Sequence, residues 1–213
     1  MHIHKIGHCC LVLDIHGVRV MTDPGVFTTA QGNVTGLDAI VITHEHADHY
    51  EPNMLKDILK NNPDAEVIVS TSLGKTLEKE GIVHLVVGDG QEVQVRGVSV
   101  RGFGKAHAFV YEKKPDMENT GYLIDNAFFL PGDSFEQPKA SVDILALPVC
   151  GPWMKLGEAL DFAIAVKPRV AFPVHDHLYR PEIAEMFEGW PTQVFSEKGI
   201  EFVALKAGET KTF

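Results

Sequence analysis

The sequence predicts a fold that mixes many short β-strands with a few helices, and three observations carry that reading. Short apolar runs such as Ala39-Ile40-Val41-Ile42 and Val67-Ile68-Val69 are bounded by polar or glycine-rich turns, the pattern of buried strands. Val93 and Val95, then Val98 and Val100, alternate on either side of Arg96-Gly97, which reads as a hairpin. Helical spacing is confined to the windows 52–60, 73–80 and 156–166 and to one segment after 181.

Composition bounds the rest. A chain of 213 residues, 45% hydrophobic and 23% charged, is ordinary for a single globular domain spanning 1–213. Such a chain buries roughly 70% of the surface that its unfolded form exposes. The net charge of −10 argues against a broad basic face for nucleic acid, yet it permits a local basic pocket for a small anionic substrate. No apolar run approaches the roughly 20 residues of a membrane span. No signal-peptide pattern is visible, and Cys9, Cys10 and Cys150 lack a disulfide framework, so a cytoplasmic location is expected. A homo-oligomer is compatible with all of this.

In chain order, residues 2–6, 9–15 and 18–22 read as strands, the last ending at Asp23-Pro24-Gly25. His2 and His4 alternate with Ile3 and belong to a more exposed face. Cys9 and Cys10 point to opposite sides, one to the core and one against a helix. Residues 26–36 form a loop able to cover a pocket. Pro52 suits a first helical turn, and Met54, Leu55, Ile58 and Leu59 recur at helical spacing. Gly81 closes the second helix. Residues 111–119 form a charged hairpin or loop, and 120–124 and 127–130 are strands joined at Asp125-Asn126. A strand over 143–149, a helix over 156–166 stopped by Lys167-Pro168, and a strand over 170–175 follow. One helix and two strands complete the chain. Lys105 could contact a substrate anion, a solvated lysine being the alternative.

The chemistry concentrates in Thr43-His44-Glu45-His46-Ala47-Asp48-His49-Tyr50, between the strand at 39–42 and the helix at 52–60. Neutral imidazole and ionised carboxylate are good ligands for zinc, iron and manganese. His44 and His46 project to the same side of extended backbone and can grip one ion. Asp48 and His49, further round the turn, are better placed for a second. A solvated polar turn is the bland alternative, and a single-metal site is the stronger rival from this stretch alone.

The pattern His-x-His-x-Asp-His, with a strand before and a helix after, resembles the signature of the metallo-β-lactamase superfamily. The resemblance implies an α+β fold, a four-layer αββα sandwich with two divalent metal ions at one edge. It further implies a His, an Asp and a His as later ligands. His107 falls where the first of these belongs and joins His44 and His46. Asp133, in Pro131-Gly132-Asp133-Ser134, matches the second and bridges both ions. His175, in Pro173-Val174-His175, completes the second site with Asp48 and His49, with His177 as a close competitor. Asp48 and Asp133 are the expected catalytic carboxylates. Asp23 is expected to orient ligands without binding metal. Gly7-His8-Cys9 and the order Gly151-Pro152-Trp153-Met154, helix, Lys167-Pro168, strand resemble the branch that includes L-ascorbate 6-phosphate lactonase. There His8 either lines the site or packs structurally, and Trp153 sits at the pocket mouth or in the core.

A hydroxide held between two such ions would attack a carbonyl carbon or a phosphorus, so the resemblance implies a hydrolase of a small ester, lactone or phosphodiester. Zinc suits the histidines, and manganese or iron the more oxygen-rich second position. A non-hydrolytic metal-binding or redox-sensing module on the same fold is the alternative.

Overall fold

The computed structural model describes residues 1–114 and 117–213. The first half runs β1 (His2–Gly7), β2 (Cys10–Ile15), β3 (Val18–Thr22), β4 (Ala39–Ile42), α1 (Pro52–Asn61), β5 (Glu66–Val69), α2 (Thr71–Glu80) and β6 (Leu85–Val86). The second runs β7 (Glu92–Val95), β8 (Val98–Phe103), β9 (Gly121–Ile124), β10 (Phe128–Leu130), β11 (Ile144–Pro148), α3 (Leu156–Val166), β12 (Val170–Val174), α4 (Ala184–Ser196), β13 (Glu201–Phe202) and β14 (Thr210–Thr212).

The strands form two sheets, ordered β14-β1-β2-β3-β4-β5-β6 and β13-β12-β11-β10-β9-β8-β7. In each, an antiparallel part passes into a parallel part, at β3–β4 in one and at β10–β11 in the other. Parallel strands need long crossovers; α1, α2, α3 and α4 lie in four of them, and long loops make those from β3 to β4 and from β10 to β11. The helices then cover the outer faces, so the parallel strands are buried on both sides and read as unbroken apolar runs. In β4, Ala39 and Val41 face the inner core, whereas Ile40 and Ile42 pack against Leu55, Ile58, Leu73 and Leu77 of α1 and α2. On the other outer face, Leu145, Leu147 and Ala171 pack on Ala159, Phe162 and Phe195. Helix–sheet–sheet–helix layering follows, as expected. Cys9 lies in the inner core and Cys10 beneath the helices, as their opposite directions required.

Local chemistry sets the helix ends. Glu51 caps α1 by accepting the Met54 N–H at 2.6 Å, and Pro52 occupies the first turn. Gly81 ends α2 in the left-handed conformation at φ 70°. A short 3₁₀ turn, Ala30–Asn33, lies inside the stretch expected to be all loop. The centre of the charged hairpin expected at 111–119, Pro115 and Asp116, lies outside the described residues; Tyr111 and Lys114 beside it pair as an isolated antiparallel bridge. Among the described residues no helix is long and apolar enough to cross a membrane.

Candidate metal centre

Seven loops leave the C-terminal ends of β1, β3, β4, β8, β10, β11 and β12 and converge at one edge of the sandwich. In open parallel sheets this edge is where ligands are bound. The loop after β4 carries His44, His46, Asp48 and His49. Gly25, after β3, lies so close to it that a Cβ there would overlap the Asp48 carbonyl. Val26 N–H then donates to Ala47 O at 2.8 Å, fastening the two loops together. The turn after β10 needs Gly132 at φ 64°. Three non-glycine residues at this edge also hold positive φ: His8 at 51°, Asp23 at 37° and His175 at 57°. Strained backbone of this kind gathers where the surrounding structure holds functional side chains in place.

Two groups of side chains result. His44, His46, His107 and Asp133 form one, and His8, Asp48, His49 and His175 the other. Within each, one donor atom from every residue lies within 4.8 Å of the rest, close enough to hold a metal ion. Asp133 joins the groups. One of its oxygens lies 3.1 Å from His49 Nε2, and the other lies 3.3 Å from His107 Nε2 and 3.2 Å from His175 Nε2.

The hydrogen bonds on the far side of each ring set the tautomers. His49 Nδ1 donates to Asp23 Oδ2 at 2.8 Å, His107 Nδ1 to the Ala108 carbonyl at 2.6 Å, and His175 Nδ1 to the Cys150 carbonyl. Thr43 Oγ1 gives its proton to Asp23 Oδ2 at 2.9 Å, so His44 Nδ1 must donate to that hydroxyl at 3.0 Å. Each neutral ring therefore turns an Nε2 lone pair into the centre. The Nε2 atoms of His49, His107 and His175 and Asp133 Oδ1 are buried without a hydrogen-bond partner among the described residues. Lone pairs facing carboxylate oxygens at such distances are costly unless a cation or a proton lies between them. The donor set thus fits the implied ions on chemistry as well as on number: five imidazoles and two carboxylates, with His8 as an eighth group at the edge.

Electrostatics follow the same division. Burial lowers the His44 pKa well below its usual value and takes His8 down to about 4. For His49, burial also opposes the charge, but Asp133 and Asp23 outweigh it and the pKa rises well above 6.5. His175 is likewise opposed by burial, yet its contacts with Asp133 and Asp48 push it up to about 9. Burial works against both carboxylates too. The histidines overcome it, His175 and His8 at Asp48 and His49, His107 and His175 at Asp133, and both stay below the usual carboxylate range.

These shifts give a pH profile for metal-free protein. A base with a depressed folded pKa binds fewer protons folded than unfolded, so His8 withdraws stability as pH falls from 6.5 to about 4. A base with a raised folded pKa does the reverse, so the contribution of His175 is full below 6.5 and lost as pH rises through about 9. Chelated protein should therefore show its highest urea midpoint near pH 6.5 and a lower one at pH 5 and pH 9. Added metal should abolish the alkaline fall, because ligation needs His175 unprotonated. An alkaline fall of equal size with and without metal would refute this assignment.

His44, His46, Asp48, His49, His107, Asp133 and His175 all meet at this edge, and Asp23, fully buried, orients His49 and Thr43 beside it. His107 does not end a strand: β8 stops at Phe103, and the His107 loop is held by Ala108 N–H donating to Asp133 O at 2.8 Å. Lys105 takes the solvated alternative. Its side chain is exposed, approaches Asp89 at 3.8 Å and lines a different cavity with Thr71 and Glu118, because the turn after β8 directs it away from the histidines. His177 has an exposed side chain outside both groups; its ring centroid lies 5.8 Å from that of His8, and its N–H donates to His8 Nδ1 at 3.4 Å. Trp153 is buried at the pocket wall, 6.1 Å from the His107 ring and 6.0 Å from His175.

Sequence reading missed two supports. Asn119 is buried, accepts the Asp133 N–H at 3.0 Å and donates to Pro131 O at 2.9 Å, clamping the turn that presents Asp133. Lys5 is fully buried and donates to Pro173 O at 2.7 Å, to Leu205 O at 3.1 Å and to Asp176, next to His175. A lysine in phase with buried Ile3 along β1 was the available signal for the second. The first had none, since one asparagine in a polar loop resembles any other.

A family model described as a β-lactamase superfamily domain matches residues 2–175. Protein Rv0786c of Mycobacterium tuberculosis is 34% identical over 200 residues, covering 91% of this chain and 92% of the relative. The UPF0173 metal-dependent hydrolase Ta0764 of Thermoplasma acidophilum is 27% identical over 183 residues, covering 79% and 80%. Among solved structures, Igni18, a metallo hydrolase of Ignicoccus hospitalis, superposes with a TM-score of 0.79 at 21% identity, over 100% of this chain and 97% of that one.

Proposed function

The chain belongs to the metallo-β-lactamase superfamily, and from that premise we propose that it is a metal-dependent hydrolase with a centre for two divalent cations, zinc ahead of manganese or iron. The observation that carries the proposal is the set of imidazole lone pairs turned onto the Asp133 carboxylate without a hydrogen bond to relieve them. The description of the Thermoplasma relative as a metal-dependent hydrolase supports the same reading.

His44, His46 and His107 would hold one cation, Asp48, His49 and His175 the other, and Asp133 both. Bound there, the cations lower the pKa of a water from 15.7 towards neutrality and polarise the oxygen that gains charge. The protein does the rest. Asp23 fixes His49 and, through Thr43, His44 in the ligating tautomer. Asp48 is the less buried of the two carboxylates, and its lowered pKa suits it to holding charge and orienting the attacking water. A small ester, lactone or phosphodiester is the substrate range.

Elemental analysis of protein purified without added metal, paired with turnover of p-nitrophenyl acetate and bis(p-nitrophenyl) phosphate, tests this. We expect about two ions per chain for a two-metal centre, and turnover abolished by chelation. No ion and no turnover after zinc, manganese and iron have each been supplied would sink the proposal.

His8 supplies a sharper test of how the centre is held. It accepts the His177 N–H on Nδ1, so its Nε2 proton is free to donate to Asp48 Oδ2 at 3.2 Å, and Phe27 packs edge-on at 4.9 Å. His8→Phe keeps the ring and removes the donor. Metal affinity, measured by competition with a chromophoric chelator, should fall roughly 10–100-fold, the usual cost of losing a ligand's hydrogen-bond partner. Unchanged affinity would make His8 a packing residue.

A further inference from the structure

Above the histidines lies a cavity of about 310 Å³ whose floor includes His46, Asp48, His107, Asp133 and His175. Its walls are Val26, Phe27, Val110, Pro152, Trp153 and Leu178. Among the described residues no lysine or arginine lines it. The cations elsewhere on the loops do not supply one: Lys105 faces another cavity, and Arg180 is exposed and lies 3.4 Å from Glu182. Lys113 and Lys114, on the hairpin beyond Val110, are exposed and outside the lining. Val26, Phe27, Val110 and Leu178 are themselves exposed, together with the neighbouring Phe109. Apolar side chains left open around a polar floor mark a place where something apolar is bound.

Resting on the hydrolase reading, we infer that this cavity selects an uncharged substrate with an apolar acyl group, an ester or lactone, and rejects substrates carrying a second charge beyond the reacting bond. A carboxylate or phosphate on the acyl chain would lie against valine, phenylalanine and leucine with no donor to replace its water, which disfavours its entry. On this inference the phosphate of a phosphorylated lactone would likewise find no donor in these walls. The reaction balances with water alone: a new C–O bond forms from water to the carbonyl carbon, the acyl C–O bond breaks, one water proton passes to the leaving alkoxide, and the acid releases the other.

The test uses the metal-loaded full chain and p-nitrophenyl acetate, butyrate and octanoate, with the monosuccinate ester and bis(p-nitrophenyl) phosphate beside them. From acetate to butyrate kcat/KM should rise about fourfold per methylene, the transfer value for buried CH₂. The succinate monoester, matched to butyrate in length but anionic, should fall at least about tenfold below it. Leu178→Lys, at an exposed position, should flatten the rise and improve the succinate ester several-fold. Succinate equal to butyrate would overturn the inference while leaving the hydrolase reading intact. Failure to cleave any of the five would overturn the hydrolase reading, and binding then decides the pocket's preference. Trp153 fluorescence in a Trp190→Phe background should respond to 2-decanone and roughly tenfold less tightly to 9-oxodecanoate, which differs only in a terminal carboxylate. Equal binding of the two overturns the inference whatever the turnover.

Discussion

Asp133→Asn should leave a folded protein that has lost most of its activity and at least one of its metal ions. The side chain is almost fully buried and meets His49, His107 and His175 at 3.1–3.3 Å, so one substitution touches both ligand groups. Asparagine keeps the volume but replaces a charged acceptor with a neutral amide that turns N–H groups toward the imidazoles. Loss of several kcal/mol of charge stabilisation, at 1.36 kcal/mol per decade, predicts a fall in kcat/KM on the order of 10³-fold. Elemental analysis should find clearly less metal than in the parent. The alkaline fall in stability of chelated protein should also shrink, because Asp133 is a main cause of the raised pKa values of His49 and His175. Full metal content in the variant would show that Asp133 does not join the two groups.

The second large effect is expected at a residue that is not itself a ligand. Lys5→Met should lower stability by roughly 3–5 kcal/mol, the cost of breaking a buried pair by removing one partner. All three ammonium protons of Lys5 are used, on Pro173 O, Leu205 O and Asp176, and none of the acceptors gains a new donor from methionine. Each kcal/mol moves the melting midpoint about 2–4 °C in a chain of this size, so calorimetry should record a drop on the order of 10 °C. Activity should fall as well, because the clasp fixes β12 where it delivers His175 at φ 57°. Asp176→Asn, which leaves both carbonyl bonds to the ammonium in place, should cost less. A variant at Lys5 melting within a degree or two of the parent would show that the clasp does not hold this edge.

The four ligands on the turn between β4 and α1 were legible because their signal is local. His44, His46, Asp48 and His49 fall within six residues of one strand-to-helix turn, and metal-binding side chains crowded so closely have few other uses. The helices over 52–60 and 156–166 were legible for a related reason: their apolar spacing and their end residues agree. His107, Asp133 and His175 were different. Nothing within a few residues of any of them distinguishes a ligand from a strand-end histidine or a turn aspartate, and the resemblance to a known motif order placed them. Lys105 shows the limit in the other direction. Two residues from His107 in the chain, it points into a different cavity, because sequence distance says nothing about direction once the backbone leaves a strand.

Short apolar runs and helical spacing were enough to establish a mixture of strands and helices, and one histidine-rich turn where the chemistry begins, since both signals depend on residues close together in the chain; the layering was implied by the family resemblance. The tertiary structure alone decided how the centre is held and what lies above it. Asn119 behind Asp133, Lys5 behind His175, His8 against Asp48 and the apolar walls from Val26 to Leu178 each join segments distant in sequence. Hydrogen bonds and pocket walls depend on which atoms meet, and folding of the two sheets face to face determines those meetings.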